Sequence, residues 1–261
     1  MPAAAAPAAT AHTPLLRRRG SPARAGGRDA PPARGRPRRT LAARLGQSFN
    51  PAGIALFARI LMGGAAGSLP LPHLDVPDLR ALDWPALAAA GFRGAVFDKD
   101  NTLTEPYART LTPAGAAAVA GAVAAFGPGR VALLSNSAGL AQFDPHGEEA
   151  DSLEADLGVP VVRHASKKPA GGAAAVEAAL GAPSSALVMV GDRYLTDVVY
   201  GNRHGMLTVR PAPVTAAGEP AAVRLARRVE WVLVARARRA GRGAPPHALV
   251  DKAGGAAAFL L

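Results

Sequence analysis

The chain has no cysteine. That absence excludes a disulfide framework, a thiolate zinc site and a catalytic thiol, and it fits a reducing interior. Acidic residues are almost missing from residues 1–46, where Asp29 alone stands against Arg17, Arg18, Arg19, Arg24, Arg28, Arg34, Arg36, Arg38, Arg39 and Arg44. The same segment has no continuous apolar run, so it does not read as a secretory signal. An Arg-rich, acid-poor, Ala-rich leader reads as an organellar transit peptide, expected to be disordered; a basic tail that holds nucleic acid is the alternative. Serine is too sparse there to separate mitochondrion from plastid. This leader inflates the net charge of +11, so no nucleic-acid partner is expected for the domain that follows. No repeat of solenoid type is present.

The apolar stretch from Ile54 to Met62 is too short to cross a bilayer, which takes roughly 20 apolar residues. Asn50 can cap it as a helix and Pro51 suits its first position; Arg59 interrupts it and Gly63-Gly64 closes it. It is expected either to lie on a membrane surface or to pack on the domain. Pro70, Pro72 and Pro77 mark an extended linker, so residues 47–92 are assigned to this helix and linker. From residue 93 short apolar runs alternate with Ala-rich helical stretches. The runs are Gly94 to Phe97, Val131 to Leu134, Val159 to Val162, Ala186 to Val190 and Leu207 to Val209; helical stretches include Pro113 to Phe126 and Pro169 to Leu180. The alternation implies an α/β fold, a doubly wound and mainly parallel sheet with helices on both faces, over residues 93–240. Residues 241–261 are expected to form a flexible tail.

Polar residues fall where such a sheet places its ligand, beyond the carboxyl ends of the strands. Asp98 and Asp100 follow the first run. Ser135 and Asn136 follow the second, and Lys168 lies shortly after the third. Gly191-Asp192 follows the fourth, with Asp197 one helical turn on. Carboxylates two residues apart can divide the work of nucleophile and proton carrier. A hard cation such as Mg²⁺ takes oxygen ligands from one or two carboxylates and keeps waters for a phosphate. A hydroxyl and an ammonium can neutralise phosphoryl oxygens.

The ordered set Asp98-x-Asp100-x-Thr102, Ser135, Lys168 and Gly191-Asp192-x-x-x-x-Asp197 resembles the four motifs of haloacid dehalogenase-superfamily phosphatases, over about residues 93 to 210. The resemblance implies a Rossmann-like fold, Asp98 as the nucleophile that forms an aspartyl-phosphate, and Asp100 as general acid and then base. It implies Ser135 and Lys168 as phosphoryl holders, and Mg²⁺ held by Asp98, Asp192 and the backbone carbonyl of Asp100, with Asp197 supporting. Lys167 competes for the lysine role; Lys168 is preferred because the family lysine often immediately precedes proline. Thr102, Asn136 and Arg193 are candidate substrate contacts. Between Asp98 and Ser135 lie 36 residues, and between Ser135 and Lys168 lie 32. Neither interval holds a large cap domain, so the site is expected to be open. An open site suits a phosphate presented by a lipid headgroup at a membrane, a protein or a nucleic acid, since a small metabolite normally needs a cap to exclude water.

Asn50-Pro51, Phe97 to Thr104, Leu134 to Gly139, Arg163-His164, Lys167-Lys168-Pro169 and Gly191 to Val198 look more specifically like the organellar phosphatidylglycerophosphate phosphatases of fungi and plants, over roughly residues 48 to 240. This implies an anionic phospholipid substrate, peripheral membrane association, a role in phosphatidylglycerol and cardiolipin synthesis, and residence in a mitochondrion, on the matrix side of the inner membrane, or a chloroplast. A capless phosphatase acting on protein or nucleic-acid phosphate is the alternative. Arg224 to Arg239 reads as a basic amphipathic helix, a solvated outer face rather than a lipid contact. His164 and His204 read as packing residues. Asp144, His146, Glu148, Glu149 and Asp151 read as a solvated loop and helix face.

Overall fold

The computed structural model describes residues 51–261 apart from Gly218 and Pro220, with side chains from Ala55 onward. The leader, expected as a transit peptide, and the Asn50 cap lie outside the described residues. Five parallel strands form the sheet: β1 (Leu74–Val76), β2 (Gly94–Phe97), β3 (Val131–Leu133), β4 (Leu187–Val190) and β5 (Leu207–Pro211), in the spatial order β1-β5-β4-β2-β3. Every residue of β2, β3 and β4 is buried, as uninterrupted apolar runs require in a parallel sheet covered on both faces.

Successive side chains leave a strand on opposite faces. Ala95, Phe97, Val131, Leu133, Val188 and Val190 therefore pack on one side, under α2 (Trp84–Ala90), α3 (Pro113–Phe126) and α4 (Glu148–Leu157). Val96, Ala132, Leu187 and Met189 pack on the other, against α5 (Ala174–Leu180) and Tyr200 of α6 (Val199–Arg203). This is the doubly wound α/β fold the alternation implies. The start of α3 shows the local logic: Thr112 accepts the Gly115 N–H at 3.0 Å and Pro113 occupies the first turn, which satisfies a free donor where proline costs nothing. Further along α3, a Cβ on Gly121 would come within 2.5 Å of the Trp84 ring, so only glycine lets Trp84 reach Phe97 and Phe126.

Four expectations change. The linker before residue 93 contributes an edge strand, because β1 pairs with β5 from Leu74 opposite Val209; the folded unit begins upstream of residue 93. The Val159 to Val162 run makes only a bridge from Val161 to Leu133. Pro160 has no N–H for a ladder and stands at the sheet edge, where proline is tolerated. The helix expected from Pro169 starts only at Ala174, after Gly171 has turned into the left-handed region. The tail is folded: α8 (Ala248–Lys252) precedes Phe259, which is buried against Phe92, and Leu260 bridges Leu82. Phe259 and Val250 supply the buried side chains of this anchoring, too little apolar sequence to show as a pattern. The Asp83 N–H on the Phe259 carbonyl and the Leu261 N–H on the Ala81 carbonyl tie the backbone.

Two more helices flank the site. α1 (Pro51–Met62) buries Ile60 and exposes Leu61 and Met62. α7 (Ala221–Arg239) follows β5. Among the described residues no helix is long and apolar enough to cross a membrane.

Candidate active site

The carboxyl ends of β2, β3 and β4 converge on a cavity of about 300 Å³ lined by Asp98, Asp100, Ser135, Asn136, Asp192 and Asp197, among others. Asp98 leaves β2 with its N–H on the Val190 carbonyl at 2.8 Å, so the neighbouring strand fixes where its carboxylate starts. Lys168 enters from beneath with a wholly buried side chain. Its Nζ donates to Asp98 Oδ1 at 2.8 Å and pairs with Asp197 Oδ1 at 2.6 Å. Lys168 is thus the lysine of the site; Lys167 lies over the Phe143 ring. Asn136 accepts the Lys168 backbone N–H at 2.8 Å and faces its carbonyl with Nδ2 at 3.4 Å, so it sets the approach of the lysine.

Asp192 follows β4, and its N–H donates to Thr102 Oγ1 at 3.1 Å. Thr102 is buried and braces Asp192 rather than lining the cavity, which corrects its assignment as a substrate contact. Asp197 sits in the π-helical turn Tyr194–Val198, its Oδ2 accepting the Arg193 N–H at 3.1 Å. A Cβ on Gly191 would meet the Asp197 carboxyl at 2.4–2.6 Å, so Gly191 is what lets this carboxylate fold back beneath the site. The Arg193 guanidinium is bound by Glu230, through Nε at 2.9 Å and Nη2 at 2.6 Å; it borders the cavity but is already half engaged.

Asp100 stands apart from the other carboxylates. Its Oδ1 accepts from Lys99 Nζ at 2.6 Å and from the Tyr107 N–H at 2.7 Å, and Tyr107 takes a φ of 63° to do so. Backbone held in that region by a bulky residue is a strain often stored at functional sites. Both contacts fall on Oδ1, and Asp100 lines the cavity. Ser135 accepts the Ser137 N–H at 3.2 Å and lies 3.0 Å from its hydroxyl.

The electrostatics follow from burial. Asp98 is pushed up to about 7, first by burial and then by Asp197 and Asp192, against the pull of Lys168. Asp192 is pushed up to about 6 by burial and by Asp197, against Arg227. Burial works to discharge Lys168, but Asp197 and Asp98 prevail and hold it above the ordinary lysine value. Asp98, Asp192 and Asp197 each bring an oxygen within 4.8 Å of the others, a grouping able to hold a cation. Asp197 Oδ1 is buried with no partner in hydrogen-bond geometry, its approach to Lys168 being an ion pair of poor direction. Three crowded carboxylates with no nitrogen or sulfur donor among them fit a hard cation such as Mg²⁺.

One consequence is measurable without substrate. Between its unfolded value of 3.8 and its folded value of about 7, the Asp98 carboxyl takes up a proton on folding. Its contribution to stability is complete below the unfolded value and is lost as pH rises through the folded one. In the metal-free protein Asp98→Asn should therefore gain stability relative to the parent between about pH 4 and about pH 7, by at most about 1.4 kcal/mol per pH unit. Denaturant unfolding of both proteins across that range reads this directly. A difference that does not move with pH would mean Asp98 is ionised throughout.

Two residues that sequence reasoning did not single out complete the site. Arg227 of α7 places Nη2 2.5 Å from Asp192 Oδ2 and 2.6 Å from Glu219 Oε1. Glu219 in turn accepts from Asn101 Nδ2 at 2.7 Å. The helix read as a solvated face therefore turns Val223, Arg227, Glu230 and Val234 inward. Their spacing of four, three and four residues is the helical signal that could have found them, but an arginine and a glutamate in the stripe hide it from an apolar pattern. The histidines behave as expected. His164 joins the Ser135 and Ser166 carbonyls, both at 2.8 Å, and His204 meets the Gly171 carbonyl. Of the acidic cluster, Asp144 caps α4 through Glu149 and Ala150 N–H groups, while Glu149 and Asp151 pair with Arg109 and Arg163.

Residues 57–215 match the family described as mitochondrial PGP phosphatase. The chain is 56% identical over 207 residues to the phosphatidylglycerophosphate phosphatase 1, chloroplastic, of Chlamydomonas reinhardtii, covering 79% of this chain and 76% of that protein. It is 46% identical over 211 residues to the phosphatidylglycerophosphate phosphatase 1, chloroplastic/mitochondrial, of Arabidopsis thaliana, covering 81% and 60%. A protein of Schizosaccharomyces pombe named as a probable mitochondrial phosphatidylglycerophosphatase is 34% identical over 122 residues, covering 43% and 56%.

Proposed function

The chain belongs to the mitochondrial PGP phosphatase family, and on that premise we propose that it hydrolyses phosphatidylglycerophosphate to phosphatidylglycerol and inorganic phosphate in a plastid or mitochondrion. The observation that carries this reading is the pairing of Lys168 with both Asp98 and Asp197 beside a cavity that Asp100, two residues past Asp98, also lines. Lys168 occupies Asp98 Oδ1, so Oδ2 attacks phosphorus. The bond from phosphorus to the glycerol oxygen breaks as an aspartyl-phosphate forms, and Asp100 Oδ2 delivers the proton that the leaving oxygen needs. Asp100 then takes a proton from the water that attacks phosphorus, and inorganic phosphate leaves with Asp98 restored. Lys168 and the Ser135 hydroxyl neutralise the phosphoryl oxygens.

Asp98, Asp192 and Asp197, with the Asp100 backbone carbonyl, would hold Mg²⁺, which when bound neutralises charge on the phosphoryl group. Turnover should accordingly vanish on chelation and return with Mg²⁺; full activity after exhaustive chelation would contradict the assignment. Arg227 pairs with Asp192 and orients it.

The enzyme meets its lipid from the membrane surface. Leu61 and Met62 of α1 are exposed, and α7 adds exposed Trp231 and Val232 beside Arg228 and Arg236. Apolar side chains ringed by arginine suit an anionic bilayer surface. Leu61→Glu combined with Trp231→Glu should weaken sedimentation with phosphatidylglycerol vesicles by about tenfold or more, since each large side chain is worth roughly 1.5–3 kcal/mol on full burial. Hydrolysis of a soluble phosphate ester should be unchanged, because both residues lie outside the cavity. Unimpaired vesicle binding would assign these side chains to the surface alone. The function itself is tested in cells that lack the protein: phosphatidylglycerophosphate should accumulate and be cleared by the wild-type chain but not by Asp98→Asn.

A further inference from the structure

The cavity around Asp98 does not end at Arg193. A groove of about 410 Å³ begins there, sharing Arg193 and Thr196 with the cavity, and runs between α1 and α7 over Phe57, Leu195, Leu225 and Val229. Leu225 is 63% exposed and Val229 39%, a cost to leave uncovered unless something apolar lies on them. The polarity therefore changes in one direction, from carboxylates and an ammonium, through a guanidinium, to alkyl and aromatic carbon. At the junction Arg193 gives Nε and Nη2 to one oxygen of Glu230, which leaves Nη1 for an anion.

Phosphatidylglycerophosphate has the same order of groups: a terminal phosphate, a glycerol, a phosphodiester, then acyl chains. We propose that this groove is an acyl subsite, in which Phe57, Leu195, Leu225 and Val229 receive the first carbons of the lipid chains and Arg193 meets the phosphodiester. The lipid is then recognised as a single molecule as well as through the bilayer that carries it. The proposal rests on the active-site reading above, since it needs the terminal phosphate at Asp98. In this arrangement α1 serves both the groove and the outer surface, because Phe57 lines the groove beside α7 while Leu61 and Met62 are exposed.

The experiment uses phosphatidylglycerophosphates with short acyl chains, dibutanoyl to dioctanoyl, kept below their aggregation concentrations so that no membrane surface exists. The wild-type protein should show kcat/KM rising by about tenfold or more along the series, as burial of added methylenes requires. Leu225→Ser with Val229→Ser, both at exposed positions outside the catalytic machinery, should flatten the rise to about threefold or less. That double variant should keep the wild-type rate on a soluble phosphate ester, which also shows that it folds. A wild-type rate independent of chain length, with normal hydrolysis on vesicles, would overturn the subsite and leave the active-site reading intact. An unchanged chain-length dependence in the variant would overturn the residues assigned. Failure to hydrolyse any of these lipids while the soluble ester is consumed would overturn the functional reading and the subsite with it.

Discussion

Asp98→Asn is expected to stop turnover, by on the order of 10⁵-fold or more, as removal of a covalent nucleophile does elsewhere. An amide oxygen does not attack phosphorus at a useful rate, and it is a poorer ligand for a hard cation, so two contributions fail at once. The loss should not come from misfolding. The side chain keeps its shape, and the Lys168 ammonium keeps Asp197 at 2.6 Å. The variant also removes one of three crowded acidic groups, which lowers repulsion near neutral pH. Steady-state phosphate release, with thermal melting of the same sample, measures both halves of this expectation. Substantial activity in a folded Asp98→Asn protein would place the nucleophile elsewhere.

Asp100→Asn should leave the nucleophile in place and remove the proton carrier. The expected loss is about 10²–10⁴-fold, the usual contribution of a positioned acid or base. It should be largest with a poor leaving group such as a glycerol alkoxide and smallest with an activated phenolate, which departs without help. The geometry supports this separation. Lys99 and the Tyr107 backbone grip Oδ1, so asparagine can keep its oxygen there while presenting an amide to the cavity. Comparing the lipid with an activated aryl phosphate, variant against parent, is the measurement. Because hydrolysis of the aspartyl-phosphate is common to both substrates, the comparison is made on kcat/KM, which reports the first transfer; equal losses of kcat/KM on both would mean Asp100 does not protonate the leaving group.

Much of this site was legible because its residues lie just beyond apolar runs. Phe97-Asp98, Leu134-Ser135 and Val190-Gly191-Asp192 each mark a strand that ends where a polar side chain begins, and a parallel sheet brings such ends to one edge. Lys168 was legible only through its place in an ordered set of motifs, because the run before it makes a single bridge instead of a strand. Thr102 was misassigned for a physical reason: a hydroxyl near two carboxylates can face substrate or brace a neighbour, and only the packing decides. Arg227 and Glu219 could not be read from pattern alone. Their role depends on α7 folding back over the strand ends. The helix carries the inward spacing of Val223, Arg227, Glu230 and Val234, but the arginine and glutamate in it hide that face from an apolar pattern, and Glu219 lies before the helix. The buried Phe259 was missed likewise, its ring partner Phe92 lying far away in sequence.

The central claim is that this chain removes a phosphate from a lipid headgroup. The most direct test gives the purified protein, with Mg²⁺, three substrates side by side: phosphatidylglycerophosphate in vesicles, a phosphoserine peptide and an oligonucleotide with a terminal phosphate. Released phosphate and lipid product are quantified together. The account predicts phosphatidylglycerol appearing in step with phosphate, at a kcat/KM far above that for the other two. Faster release from the peptide or the oligonucleotide, with the lipid left intact, would contradict it.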